Sequence, residues 1–226
     1  MTRLSCTHQR LYGAMRRAIN AAAAFCAVFL MLSAPVAAAD DVVILALGDS
    51  LVAGYGLSRQ DSFPARLEAE LKARGYDVRV VNGGVSGDTS KAGLGRVDWL
   101  FAEKPDLMLL ELGANDGLRG LPPEQTEANL AQIIEKSQSA GVPVLLTGMM
   151  APPNLGREYG AAFNALYPRL AEKYGTAFYP FFLEGVAAEA HLNQDDGMHP
   201  NAEGVQVIVE RIAPSVIEAL ESGNGS

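Results

Sequence analysis

The sequence predicts an α/β protein: a single-domain, three-layer α/β/α sandwich on a parallel sheet of about five strands. Three observations carry this expectation. Short runs of aliphatic and β-branched residues alternate with longer stretches of helical period. Three of these runs are apolar nearly throughout, as strands covered on both faces must be. The intervening segments are long enough for helical crossovers, which are right-handed between parallel strands and lay helices on the sheet.

The strands expected, in order, are Val42–Leu47 (VVILAL), Val78–Asn82 (VRVVN), Leu107–Leu112 (LMLLEL), Val142–Thr147 (VPVLLT) and Ala177–Pro180 (AFYP). Between them, Phe63, Leu67 and Leu71 recur at every fourth position, and Gly75 stops that helix. Leu130, Ile133, Ile134 and Ser137 form a second stripe, ended by Gly141. Tyr159, Phe163, Leu166 and Leu170 form a third, in which Pro168 is a disturbance. Val205, Ile208, Ile212 and Val216 form the last, with a kink expected near Pro214. Each stripe reads as core packing. The segment Glu221–Ser226 (ESGNGS) reads as a loose tail, so the folded domain is expected over residues 40–220.

Residues 1–39 read as a secretory signal peptide. Arg3, Arg10, Arg16 and Arg17 precede the apolar run AAAAFCAVFLML, and Ala37, Ala38 and Ala39 supply a small-residue cleavage site. The competing reading is an uncleaved anchor, but the run falls short of the ~20 residues that span a bilayer. Both cysteines, Cys6 and Cys26, lie in this leader, so the mature chain has neither a disulfide nor a thiolate metal site. The whole chain carries a formal charge of −8; losing the four leader arginines takes the mature part to −12. That balance argues against nucleic acid and anionic lipid as partners. No coiled-coil heptad is visible, and a monomer without stable membrane insertion is expected. The expected destination is secretion, in a double-membraned cell the periplasm.

In a parallel sheet of this kind, ligands sit at the carboxyl ends of the strands. Ser50, in LGDSLVAGYG, falls just past the first strand. A serine hydroxyl needs a base before it acts as a nucleophile, and outside the leader only His191 and His199 exist. His199 sits in QDDGMHPN with Asp196 three residues before it. One helical turn would put both side chains on one face, although Gly197 and Pro200 suggest a turn, and Asp195 competes at the fourth position. His191 has no such carboxylate and reads as structural or exposed. Two further loops, NGGVSGDTS and ELGAND, follow the second and third strands. Their glycines and Asn115 offer donors for a developing oxyanion. Taken singly these are ordinary turn and cap residues, with Asp88 capping the helix that begins near Thr89. Together they fall on one edge of the sheet.

The four blocks Gly48-Asp49-Ser50-Leu51, Ser86-Gly87-Asp88-Thr89, Gly113-Ala114-Asn115-Asp116 and Asp196-Gly197-Met198-His199-Pro200 resemble those of the SGNH, or GDSL, hydrolases. The longer strings LGDSLVAGYG, SGDTS, ELGANDGLRGLPPEQT and DDGMHPNAEG look most like its bacterial periplasmic acyl-CoA thioesterase, arylesterase and lysophospholipase branch. The resemblance implies a single flavodoxin-like domain and hydrolysis of carboxylic esters and thioesters through an acyl-Ser50 intermediate. It further implies His199 as base, Asp196 rather than Asp195 as its orienting acid, and an oxyanion hole from Ser50 N–H, Gly87 N–H and the Asn115 amide. It implies no metal and no cofactor.

The loops Asp116–Pro123 and Met149–Asn154 carry apolar tips, and Leu118, Leu121 and Met149 are expected to line an acyl groove for a small-molecule or lipid ester. Two rival readings are a carbohydrate O-deacetylase of the same family and a non-catalytic envelope binding module.

Overall fold

The computed structural model describes residues 42–223; the leader expected at residues 1–39 and the last three residues lie outside the described part. Five strands form one sheet: β1 (Val42–Gly48), β2 (Val78–Gly84), β3 (Leu107–Leu110), β4 (Val144–Thr147) and β5 (Ala177–Tyr179). All pair in parallel, in the order β2-β1-β3-β4-β5. This is the flavodoxin-like doubly wound arrangement, whose strand order reverses between β1 and β3 and opens a crevice at their carboxyl ends.

Among the described residues, seven α-helices connect and cover the strands: α1 (Ser50–Ala53), α2 (Phe63–Ala73), α3 (Ser90–Leu100), α4 (Ala114–Leu118), α5 (Pro123–Ser139), α6 (Arg157–Tyr174) and α7 (Ala202–Gly223). α2 packs against α7 on one face of the sheet; α3, α5 and α6 pack in sequence on the other. The expected stripes are the buried ones. Phe63, Leu67 and Leu71 of α2, Leu130, Ile133 and Ile134 of α5, and Val205, Ile208, Ile212 and Val216 of α7 are all buried against the sheet. Ile44 to Leu47 and Leu107 to Leu110 have no exposed surface at all, because helices cover both faces of β1 and β3. Truncating one such leucine to alanine costs about 2–5 kcal/mol.

Several boundaries differ from expectation, each for a local reason. β2 runs two residues past Asn82, because Gly83 and Gly84 continue the ladder opposite Leu47 and Gly48. β3 stops at Leu110, where pairing with β4 ends, so Glu111 and Leu112 belong to the loop beyond it. β4 begins at Val144 rather than Val142, since Val142 N–H is spent on Ser137 O at the end of α5 and Pro143 has no N–H to give. β5 ends one residue before Pro180. Pro168 and Pro214 lie inside α6 and α7, and neither ends its helix. The tail expected from Glu221 is corrected in part: α7 continues to Gly223, and Glu221 accepts a hydrogen bond from Tyr76 Oη at 2.8 Å.

Candidate active site

The carboxyl edge of the sheet collects the residues that the sequence marked. β1 runs into Asp49, which caps α1: its Oδ1 accepts Leu51 N–H at 3.0 Å. Ser50 is therefore the first residue of a one-turn helix, and its own N–H has no acceptor within that helix. The side chain meets His199 across 149 residues of sequence, with Oγ 2.9 Å from Nε2. On the other side of the ring, Nδ1 lies 2.6 Å from Asp196 Oδ2. Asp195 makes no such contact; it is an exposed neighbour.

The Asp196–His199 pairing is made by a turn and not by a helical turn. Gly197 adopts a φ of 68°, and Asp196 Oδ1 accepts the backbone N–H groups of Met198 and His199 at 2.9 and 3.0 Å. These bonds, those from His199 foremost, hold the Asp196 carboxyl down at about 2, so it is an anion at any ordinary pH. The loop is fastened at its base by Gln194. Gln194 N–H donates to His199 O, while its side-chain amide donates to Tyr55 O and Pro200 O. The Tyr55 ring lies over the imidazole, centroid to centroid 4.6 Å. Neither Gln194 nor Tyr55 was singled out from sequence, because nothing in a linear pattern says that a residue after β1 will cover one from the far end of the chain.

The second loop follows β2. Val85 N–H donates to Gly48 O, and Asp88 N–H returns to Val85 O, closing a tight turn with Gly87 third at φ 86°. That position of a type II turn favours glycine, since a side chain there is strained. Arg119 Nη2 donates to Gly87 O at 2.8 Å. The cap of α3 is Thr89, whose Oγ1 accepts Ala92 N–H, and not Asp88. Asp88 pairs instead with Arg96 at 2.7 Å, and the same guanidinium donates to Gly48 O.

The third loop follows β3. Asn115, second residue of α4, donates from Nδ2 to Asp49 Oδ2 at 3.1 Å. Its neighbour Asp116 is buried and turned away, accepting from Ser90 N–H, Ser90 Oγ and Thr126 Oγ1. This network ties the Gly87 loop to the Asn115 helix without setting its charge beside the serine. His191 is exposed, as expected, with Glu189 3.8 Å away.

A groove of about 670 Å³ opens over Ser50, Gly87, Asn115 and His199. Its walls are mainly apolar: Tyr55, Leu118, Met149, Met150, Pro152, Pro153, Phe181, Leu183 and Met198. Of the three residues expected at an acyl groove, Leu118 and Met149 lie in this wall, whereas Leu121 does not. Its N–H bonds Asp116 O and its carbonyl accepts Tyr159 Oη, so it closes the end of α4 instead. Phe181, Leu183 and Met198 complete the wall and were not singled out from the sequence. Among the described residues, no cluster of three or more His, Cys, Asp or Glu side chains could hold a metal ion.

A serine on an imidazole on a carboxylate, with amide donors beside it and an apolar trough above, is an arrangement suited to acyl transfer. Residues 46–207 match the GDSL-like lipase/acylhydrolase family. The chain belongs to this family. It is accordingly a hydrolase that acts on ester bonds. It is 41% identical over 194 residues to an arylesterase of Vibrio mimicus, covering 85% of this chain and 96% of that one. It is 42% identical over 187 residues to thioesterase 1/protease 1/lysophospholipase L1 of Escherichia coli strain K12, covering 82% and 88%. Among solved structures, the psychrotrophic esterase EstA from Pseudoalteromonas sp., inhibited by monoethylphosphonate, is similar with a TM-score of 0.76. That match has 34% identity and covers 80% of this chain and 100% of the other.

Proposed function

We propose that this family member is a secreted serine esterase that cleaves carboxylic esters and thioesters through an acyl-Ser50 intermediate. The observation that carries the reading is the continuous relay from Ser50 Oγ through the His199 ring to Asp196, at 2.9 and 2.6 Å. His199 Nε2 takes the Ser50 proton as Oγ attacks the acyl carbonyl. Asp196 holds Nδ1–H, fixing the tautomer and balancing the imidazolium that forms. Negative charge on the carbonyl oxygen is met by Ser50 N–H, Gly87 N–H and the Asn115 amide. The carbonyl re-forms, and His199 gives its proton to the leaving alcohol or thiol. Water, deprotonated by the same imidazole, then releases the acid and restores the serine.

The apolar groove supports an acyl chain as the group bound, with Leu118 and Met149 against it. Arylesters, acyl-thioesters and lysophospholipids are the substrate classes, by likeness to the arylesterase and the thioesterase/lysophospholipase. Coenzyme A thioesters are cytosolic, so the leader at residues 1–39, acting for export, makes ester or lysophospholipid cleavage the physiological role. No helix among the described residues is long and apolar enough to cross a membrane. The test is labelling with an organophosphonate together with a chain-length scan of p-nitrophenyl esters. Wild-type protein takes one label and Ser50→Ala takes none; label persisting in Ser50→Ala overturns the assignment.

A further inference from the structure

Behind the serine lies a pair of carboxyl groups that the acyl-transfer steps do not use. Asp49 and Glu111 are both completely buried. Glu111 Oε2 accepts Asp49 N–H at 3.2 Å, while Glu111 Oε1 has no partner. The space for this approach comes from Gly48, where a Cβ would lie 2.6 Å from Glu111 Oε2. Neither carboxyl group has an ion-pair partner among the described residues. Arg96, the cation that reaches this turn from α3, is spent on Asp88 and on Gly48 O.

Two adjacent carboxylates without a cation cannot both stay ionised in a dry interior. The hydrogen bonds say which one keeps its proton. Both Asp49 oxygens accept, Oδ1 from Leu51 N–H and Oδ2 from Asn115 Nδ2. Acceptance at both oxygens favours the anion at Asp49. Glu111 has one oxygen with no donor to receive, which suits a hydroxyl.

We propose that Glu111 is a positioning residue: as a buried neutral carboxylic acid behind the Asp49–Ser50 turn, it leaves Asp49 as the anion that orients the Asn115 amide toward the reacting carbonyl. Burial, then the charge of Asp49, pushes Glu111 well above the usual carboxylate range, while Asp49 is raised by burial only to about 6. Other titratable groups also face the pair. Tyr167 from α6 is buried with its hydroxyl donating to Leu112 O, and Asp116 from α4 is buried and acidic. His199 acts on Asp49 as a lowering charge and Asp88 as a raising one. The inference rests on the serine-esterase reading, because it concerns the donor which that reading assigns to the oxyanion.

The test compares Glu111→Gln, Glu111→Leu and wild type by infrared spectroscopy and by the pH profile of kcat on a p-nitrophenyl ester. A protonated-carboxyl carbonyl band is expected in folded wild type at neutral pH and is expected to vanish in Glu111→Gln. That variant, neutral and nearly isosteric, keeps kcat within about threefold and loses the alkaline decline in kcat that ionisation of Glu111 imposes. Glu111→Leu leaves Asp49 N–H unpaired and lets the turn shift, lowering kcat by up to about 10²-fold with KM little changed. Absence of the band in wild type, or an alkaline limb that is identical in Glu111→Gln, overturns the proposal. The infrared band is read without turnover. A band present while Ser50 fails to label defeats the serine reading alone, and normal labelling without the band defeats only the proton placement.

Discussion

Asn115→Ala separates the chemistry of the site from its architecture. The Asn115 amide has two N–H groups, of which one is given to Asp49 Oδ2 at 3.1 Å, while the residue itself lines the groove beside Ser50. The second is available to the oxyanion. Losing one such donor raises the barrier by about 2.7–4 kcal/mol, so kcat is expected to fall roughly 10²–10³-fold. The same truncation removes a donor from a buried carboxylate, at a further cost to the fold of about 1–3 kcal/mol. For a domain of this size, about 2–4 °C of Tm is lost per kcal/mol. The sign of the pH dependence follows from Asp49, whose pKa is already raised from 3.8 to about 6 by burial, with the Asn115 bond working to lower it. A carboxyl raised in the folded state makes the protein less stable as pH climbs from the unfolded value to the folded one. Removing the Asn115 bond raises Asp49 further, so the stability deficit of the variant grows between about pH 6 and neutrality. The assay is kcat on a short-chain p-nitrophenyl ester well below Tm, beside melting curves at pH 5 and 7.5. A folded variant with kcat within about threefold of wild type refutes the donor role. A Tm loss that does not grow with pH refutes the account of Asp49.

Other outcomes follow from the same geometry. Asp196→Asn is expected to lower kcat by up to about 10⁴-fold through the wrong imidazole tautomer. Because Asp196 titrates near 2, below its usual value, its contribution is present above 3.8 and lost only as pH falls toward 2. The loss in Asp196→Asn is therefore expected at every pH from mild acid to mild alkali, and a mere shift of the acid limb would contradict it. Gly84→Ala is expected to destabilise by about 1–3 kcal/mol. Its Cβ would lie 2.2 Å from Ala53 N, pushing β2 away from the Ser50 helix, and an unchanged melting temperature would contradict that contact. Leu118→Ala, at an exposed position in the groove wall, is expected to reduce preference for longer acyl chains without changing Tm. An unaltered chain-length profile would remove Leu118 from the groove.

The architecture and the candidate residues of the site were legible in the chain because they depend on local periodicity and short-range spacing. Runs such as VVILAL and LMLLEL are apolar on both faces only in a sheet covered twice, and the stripe of α7 has the period of a helix with one buried side. Ser50, Gly87 and Asn115 each closely follow a strand, so a parallel sheet brings them to one edge, while His199 reaches it through the long loop after β5. The choice between Asp195 and Asp196 was different in kind. At three and four residues from His199 both satisfy helical spacing, and what decides is the Asx turn in which Asp196 Oδ1 takes two N–H groups while Oδ2 takes the ring. Leu121 was misjudged for a related reason: apolarity marks a residue for burial without saying on which side of a loop.

By itself, then, the sequence determined the layer order and the candidates for the reacting groups, since the first follows from backbone periodicity and the second from chemistry carried by single side chains. Only the tertiary structure decided the Tyr55 ring over His199, the Gln194 bonds that join the first loop to the last, the groove wall from Phe181 and Leu183, and the buried Asp49–Glu111 pair. Those contacts join residues 62 to 144 positions apart. They arise where two loops happen to close on each other, and the free energy of such closure is set by shape and burial, which no local pattern encodes.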